Sequence, residues 1–296
     1  MRVALAVVLL AQLLSGCEAG PPPIPIVVYA VGDDQESLEA QLAEFTDDTD
    51  IGVTLVFSKS SKNVDLVINK SGSPTADVLI TDNVADIWRA ADSGALRPIR
   101  TEKFETADPS LKDPDGAWVA IGMRIHAIAL ARPEVRPLVA AFDDLAAPDI
   151  NGRLCLSSSS LHVNRSLIAL LIGDRDVKDT QRLVRGWVRN LAASPFPNQE
   201  ELLQALRSGT CDYAIVEWSE DAKEFVYFTP SPLYVNIDAV GVARHANNPE
   251  SAQRLVEWFL DNKKIQIKSN DVRQNIGNAG WRDEDARLLA ERVGYR

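Results

Sequence analysis

The chain has 296 residues, 42 acidic against 31 basic side chains, and a formal net charge of -11. No basic stripe is available to neutralise phosphates, so the composition excludes nucleic acid as a partner. Hydrophobic content of 46% is ordinary for a globular chain, and the length exceeds the usual size of one domain, so two lobes are expected.

Met1 and Arg2 give a weakly positive start, and Val3 to Leu14 is almost wholly apolar, the length of a secretory core and too short to span a bilayer. Leu14-Ser15-Gly16-Cys17 closes that run with a small-residue step, and this ending resembles the lipobox of bacterial lipoproteins. The resemblance implies that residues 1–16 are a signal peptide, that Cys17 carries lipid, and that the protein sits in the periplasm or at the cell surface, anchored to the membrane. An ordinary cleaved signal with an incidental cysteine is the alternative. Loss of residues 1–16 removes only Arg2 among charged residues, so the formal charge goes from -11 to -12. Cys155 and Cys211 then remain as an even pair in an oxidising compartment, and either a disulfide or two buried thiols fits the count. Residues 17–25 form a tether whose Gly20-Pro21-Pro22-Pro23-Ile24-Pro25 is stiff, because proline fixes an extended backbone and removes donors.

Folding is expected to begin at the apolar strand Ile26 to Ala30, turned by Gly32-Asp33-Asp34 into a helix in which Leu38, Leu42 and Phe45 recur at helical spacing. Val53 to Phe57 reads as the next strand, Val64 to Asn69 as a helix, Ala76 to Ile80 as a strand, and Val84 to Ser93 as a helix stopped by Gly94. A second cycle runs through strand segments at Ala117 to Ile121 and Ile125 to Leu130, a helix carrying Phe142 and Leu145, and the strand Gly152 to Leu156. Ser157 to Ser160 then precede the helix of Leu167, Ile168, Leu170 and Leu171. Helices at Arg182 to Leu191 and Glu200 to Arg207, strands at Gly209 to Val216 and Val235 to Ala243, and an amphipathic helix opened by Asn248-Pro249-Glu250 complete the order. Strands alternating with helices specify α/β lobes with mostly parallel sheets, joined here by extended crossings near 121–128 and 234–240. Ligands in such sheets sit beyond the carboxyl ends of the strands, so loops 29–35, 81–84, 157–164 and 217–221 are expected to meet in a cleft. No second apolar stretch approaches membrane-spanning length.

These segments together resemble the ferric-ion-binding family of ABC-transporter substrate-binding proteins, which have the type II periplasmic-binding-protein fold. The resemblance covers nearly all of residues 26–262. It rests on Val28-Tyr29-Ala30, on Ala76 to Asp82 followed by Ile87-Trp88-Arg89-Ala90 and Gly94-Ala95-Leu96, and on Leu111 to Trp118. It continues through Asp144-Leu145, Gly152 to Cys155, Ser158 to Ser160 with Asn164 to Leu167, Gly209 to Asp212, Val235-Asn236-Ile237 and Asn248-Pro249. The resemblance implies a lobe of 26–123 plus 236–280 and a second of 124–235 plus 281–296. It also implies cysteines on neighbouring strands at the positions of Cys155 and Cys211, close enough for a disulfide. The family holds ferric ion through an adjacent tyrosine pair and a synergistic anion such as carbonate. This sequence carries Ser219 and Glu220 at the pair's positions, Val163 at a further tyrosine position, and Asp33 and Asp34 near the first-loop ligand.

The candidate cleft residues are Asp33, Asp34, Asp82, Asn83, Arg124, Ser158, Ser159, Ser160, Glu217, Trp218, Ser219 and Glu220. The carboxylates supply hard oxygens for a cation, and solvated loop tips are the plainer reading of the same residues. The serines and Arg124 suit an anion at a helix start, or a serine merely caps that helix. Trp218 suits a planar or cationic ligand, or packing against a lobe. His126, His162 and His245 lack metal-motif spacing and point to surface or structural roles. No nucleophile elbow, phosphate-cradling glycine loop or zinc motif supports catalysis. The expected protein is therefore a monomeric, lipid-anchored solute binder that hands a small ligand to an ABC permease and ATPase. A metal cation, iron by the resemblance, with a synergistic anion is the possible cofactor-like cargo. The alternatives are a binding-lobe protein that serves as a membrane-tethered partner or sensor subunit, or a binder of a non-iron cation or small organic solute.

Overall fold

The computed structural model describes residues 24–132, 139–218, 225–262 and 276–296. Cys17, Ser219 and Glu220 lie outside them. Among the described residues no helix is long and apolar enough to cross a membrane.

Strand β1 (Ile26–Val31) is apolar at every position because both of its faces are covered. Its even residues Ile26, Val28 and Ala30 enter a core with Leu42 and Phe45 of helix α1 (Gln35–Thr49), while Tyr29 and Val31 enter a second core on the other face. β2 (Val53–Ser58) and β3 (Val78–Thr81) flank β1 in parallel, linked by α2 (Lys62–Ile68). α3 (Val84–Asp92) follows β3 and stops where Gly94 adopts φ +69°, a left-handed conformation that glycine takes without steric cost. β4 (Leu96–Arg97) and α4 (Glu102–Thr106) lead into β5 (Val119–Leu130). The expected break between 121 and 125 is absent: β5 is one strand of 12 residues, and only a register shift between Ala120 and Gly122 marks the place.

The helix expected around Phe142 and Leu145 is instead a pair of short 3-10 turns at Asp144–Ala146 and Pro148–Ile150. The Asp144 carboxylate accepts the N–H groups of Ala140 and Ala141 at 2.7 and 2.9 Å, and Trp187 and Asn190 donate to the carbonyls of Phe142, Leu145 and Ala147. Those carbonyls are the groups a helix would need for its own ladder. β6 (Leu154–Cys155), α5 (His162–Asp174), α6 (Val177–Arg189), α7 (Gln199–Arg207), β7 (Tyr213–Trp218) and β8 (Val226–Phe228) complete this half. β9 (Val235–Ala243), α8 (Pro249–Asn262), α9 (Gly277–Trp281) and α10 (Asp283–Val293) end the chain.

The sheet order is β2-β1-β3-β9-β5-β7-β6, with β4 on β9 and β8 on β5. β1 with β2 and β3, and β6 with β7, are parallel, and the two long strands β5 and β9 are antiparallel to their neighbours. The start of β9 pairs with β5 and its end with β3 and β4, so these two strands carry the sheet from one half of the molecule into the other. Cys155 of β6 and Cys211, just before β7, form a disulfide with their Cα atoms 5.9 Å apart. The bond closes the sheet's outer edge over a core with Leu202, Leu206, Ala214 and Val216.

Candidate functional site

The register of the two long strands assembles the site. Arg124 pairs with Asn236, Gly122 with Asp238 and His126 with Glu217, so alternation puts all six on one face of the sheet. Arg124 Nε donates to Glu217 Oε2 at 2.8 Å, its Nη1 to Asp238 Oδ1 at 2.6 Å, and its Nη2 to the carbonyl of Asp82 at the end of β3. Gly122 makes this possible, because a Cβ there would lie 2.3 Å from Asp238 Oδ2. Asn236 completes the set: its Nδ2 donates to Glu217 Oε1 at 2.9 Å and to the Asp82 carbonyl at 3.3 Å, and its Oδ1 accepts the N–H of Val84 at 3.2 Å. Val84 is the first residue of α3, so the amide of Asn236 ties that helix start to the central strands. Glu217 is further fixed along its backbone by Gln199, whose side chain both donates to its carbonyl and accepts its N–H.

Asp82 and Asn83 open α3. Asn83 caps the helix by accepting the Asp86 N–H at 2.9 Å and donates to Asp82 Oδ1 at 3.1 Å. Burial pushes the Asp82 carboxyl up to about 6, against the opposing pull of Arg124 and the Asn83 amide. Burial also works against the Arg124 guanidinium, and Glu217, Asp238 and Asp82 outweigh it, so its proton is held more tightly than in solution. His126 is fully buried, with Nε2 3.3 Å from Ser166 Oγ, and burial pushes its pKa down to about 4. It is a neutral structural residue beneath the cluster, as its isolated position in the sequence suggests.

Around Asp82 the described parts of several of the loops expected to form the cleft lie near one another. A Cβ on Gly32, in the β1–α1 loop, would touch the Asp82 side chain at 3.6 Å, Arg124 connects Asp82 to Glu217, and His162 at the start of α5 bears electrostatically on Asp82. Asp33 and Asp34 are exposed at the tip of the first loop, where Asp34 Oδ1 caps α1 through the Ser37 N–H at 2.9 Å. The serine turn is built differently from a helix cap. Leu161 occupies the N-cap of α5, while Ser158 and Ser160 bond each other at 2.9 Å and Ser159 Oγ donates to the Tyr295 carbonyl at 3.0 Å. Tyr295 in turn donates to the Ser157 carbonyl at 2.6 Å, so the end of the chain pins this turn. Trp218 follows Glu217 in β7 and therefore leaves the opposite face, where it packs against the core of Cys155, Cys211 and Val216.

Asp238, Gly122, Asn236 and Gln199 are the site residues that sequence reasoning did not single out as such. The available signal was an amide and a carboxylate, Asn236 and Asp238, inside the mostly apolar strand Val235–Ala243 and a glycine inside β5, all at odds with their surroundings. Among the described residues no group of His, Cys, Asp and Glu side chains converges as a metal-holding set. Tyr29 donates to the Pro74 carbonyl, Tyr234 to Asp174 and Tyr295 to Ser157, and Tyr213 and Tyr227 pair with Leu130 and Ala129 at the far end of β5. Burial pushes Tyr234 up to about 12 and raises Tyr213 and Tyr295, which disfavours phenolates.

Two halves of an α/β sheet are joined by the long paired strands β5 and β9, with polar groups gathered along their register, an arrangement shared with binding proteins. Residues 26–269 match the family of bacterial extracellular solute-binding proteins, and the chain belongs to that family. It is 30% identical over 287 residues to iron uptake protein A1 of Synechocystis, covering 87% of this chain and 79% of that protein. A Fe(3+)-binding periplasmic protein of Serratia marcescens is 22% identical over 86% of this chain and 79% of its own length. Among solved structures, a FutA (IdiA) protein of Trichodesmium in complex with iron and citrate superposes with a TM-score of 0.80 at 25% identity, over 92% of this chain and 100% of that one. The ferric binding protein of Campylobacter jejuni shares the fold, with a TM-score of 0.81 at 18% identity over 92% of this chain and 100% of its own.

Proposed function

We propose that this chain is the extracytoplasmic solute-binding component of an ABC importer, and that its cargo is ferric iron taken together with a small carboxylate anion. The observation that carries this reading is the likeness over 92% of the chain to a protein solved with iron and citrate. The local chemistry agrees with it. Asp82, Glu217 and Asp238 face the single positive charge of Arg124, leaving the cleft negative and receptive to a cation. The hydroxyls of Ser158 and Ser160 and the start of α5 suit the anion's oxygens. Residues 26–123 with 236–280 form one lobe and 124–235 with 281–296 the other, β5 and β9 act as the hinge crossings, and closure follows from contacts made only with ligand bound. Lipidated Cys17 keeps the binder beside its permease and ATPase.

Ser219 and Glu220 at the tyrosine-pair positions support a second reading, in which the cargo is another cation or a small organic solute. Thermal unfolding separates the two. Ferric citrate at a hundredfold its dissociation constant is expected to stabilise by about 2.7 kcal/mol and to raise the midpoint. A midpoint unmoved by ferric citrate but raised by divalent metals, phosphate or a cationic organic moves the cargo to the second reading. A midpoint unmoved by all of them overturns solute capture and leaves the tethered-partner role, which co-purification from membranes addresses.

A further inference from the structure

The Arg124 guanidinium stands where a hard cation would stand. Oxygens from β7, β9 and the end of β3 converge on its three nitrogens: Glu217 Oε2 at 2.8 Å, Asp238 Oδ1 at 2.6 Å and the Asp82 carbonyl. This mixture of carboxylate and carbonyl oxygens is what a hard metal ion selects. The charge of arginine is permanent, so the group cannot leave by losing a proton. It is also anchored: the second Glu217 oxygen is taken by Asn236 at 2.9 Å, and Gly122 leaves the space through which Asp238 reaches across. Among the described residues these carboxylates, with the guanidinium in place, are not a metal-holding set, and the positive charge they face is the chain's own.

We propose that Arg124 is a specificity-determining residue, a tethered cation seated among Asp82, Glu217 and Asp238 that keeps bare metal ions away from these carboxylates. Resting on the reading of iron as cargo, it follows that the cleft accepts iron as a chelate and rejects the hydrated ion. Specificity is then built by occupation: an incoming ion must displace charge-assisted hydrogen bonds that the chain itself supplies. The anion of the chelate offers its own oxygens to the metal, so the complex has no need of the seat Arg124 fills.

Terbium(III), a hard trivalent ion, tests the seat directly in calorimetric titrations of the full chain. Wild type is expected to bind terbium only weakly, Arg124→Lys to behave as wild type, and Arg124→Met to bind one ion at least about tenfold more tightly than wild type. Adding Glu217→Gln to Arg124→Met is expected to reverse that gain. Should Arg124→Met fail to fold, Arg124→Gln, which removes the charge but keeps an amide donor for the neighbouring oxygens, takes its place with the same expected gain. Terbium binding to wild type as tight as to the variant, or a folded variant with no gain, overturns the role of Arg124 whatever ferric citrate does. A gain in the variant with no ferric citrate binding to wild type upholds the seat and overturns only the iron-chelate reading.

Discussion

Glu217 and Trp218 are consecutive residues of β7, yet they belong to regions held together by different physics. Glu217 faces the Arg124 cluster, where charge-assisted hydrogen bonds link β3, β5, β7 and β9. Trp218 faces the outer core, where apolar packing and the Cys155–Cys211 bond hold β6 to β7. The first kind of contact responds to protons and ligand charge and is screened by salt, and the second carries no charge on which protons or a ligand could act. A binder needs both: a cleft whose groups can be biased by a ligand, on a frame that does not change when they are.

The largest expected effect breaks the frame. Cys155→Ala with Cys211→Ala opens a loop spanning 56 residues and is expected to cost about 4 kcal/mol in the chain-entropy account, with equal loss at pH 5 and pH 8. Urea unfolding at the two pH values checks it, and a loss that changes with pH would erase the distinction between the regions. Next comes Asp82→Asn. The folded carboxyl titrates near 6 and the unfolded one near 3.8, so the wild type binds protons more readily when folded and loses stability as pH rises through that window. The variant is expected to be more stable than wild type by up to about 3 kcal/mol at pH 7 and equal to it below about pH 3. A stability difference that is constant from pH 4 to pH 8 would remove Asp82 from the titrating cluster. The smallest effect is that of Gly122→Ala, whose new methyl meets Asp238 Oδ2 at 2.3 Å and forces that carboxylate from Arg124. A loss of about 1 kcal/mol, largely absent when the substitution is made in an Asp238→Ala background, is the expected double-mutant result.

The order of helices and strands was largely legible. β1 announces itself as an apolar run because it is covered on both faces, and β9 is read over its full length for the same reason. The segment around Phe142 misled because its carbonyls are claimed by Trp187 and Asn190, some forty-five residues away in sequence, and periodicity cannot register that claim. Asp82 and Glu217 were legible as polar residues at strand ends, and Arg124 as a charge between two apolar strand segments. Their partners Asp238 and Asn236 were hidden inside a strand, where only the β5–β9 register brings them opposite Gly122 and Arg124.

By itself the sequence determined the α/β class and the apolar faces of its elements, because these depend on local composition and on the periods of strand and helix. The tertiary structure alone decided that Trp218 turns from the cleft and that Ser159 is spent on the chain's end. It also decided that a guanidinium sits among the carboxylates. The reason is physical: the face a strand residue takes is set by register, and a charge is placed by whatever partners the fold carries to it.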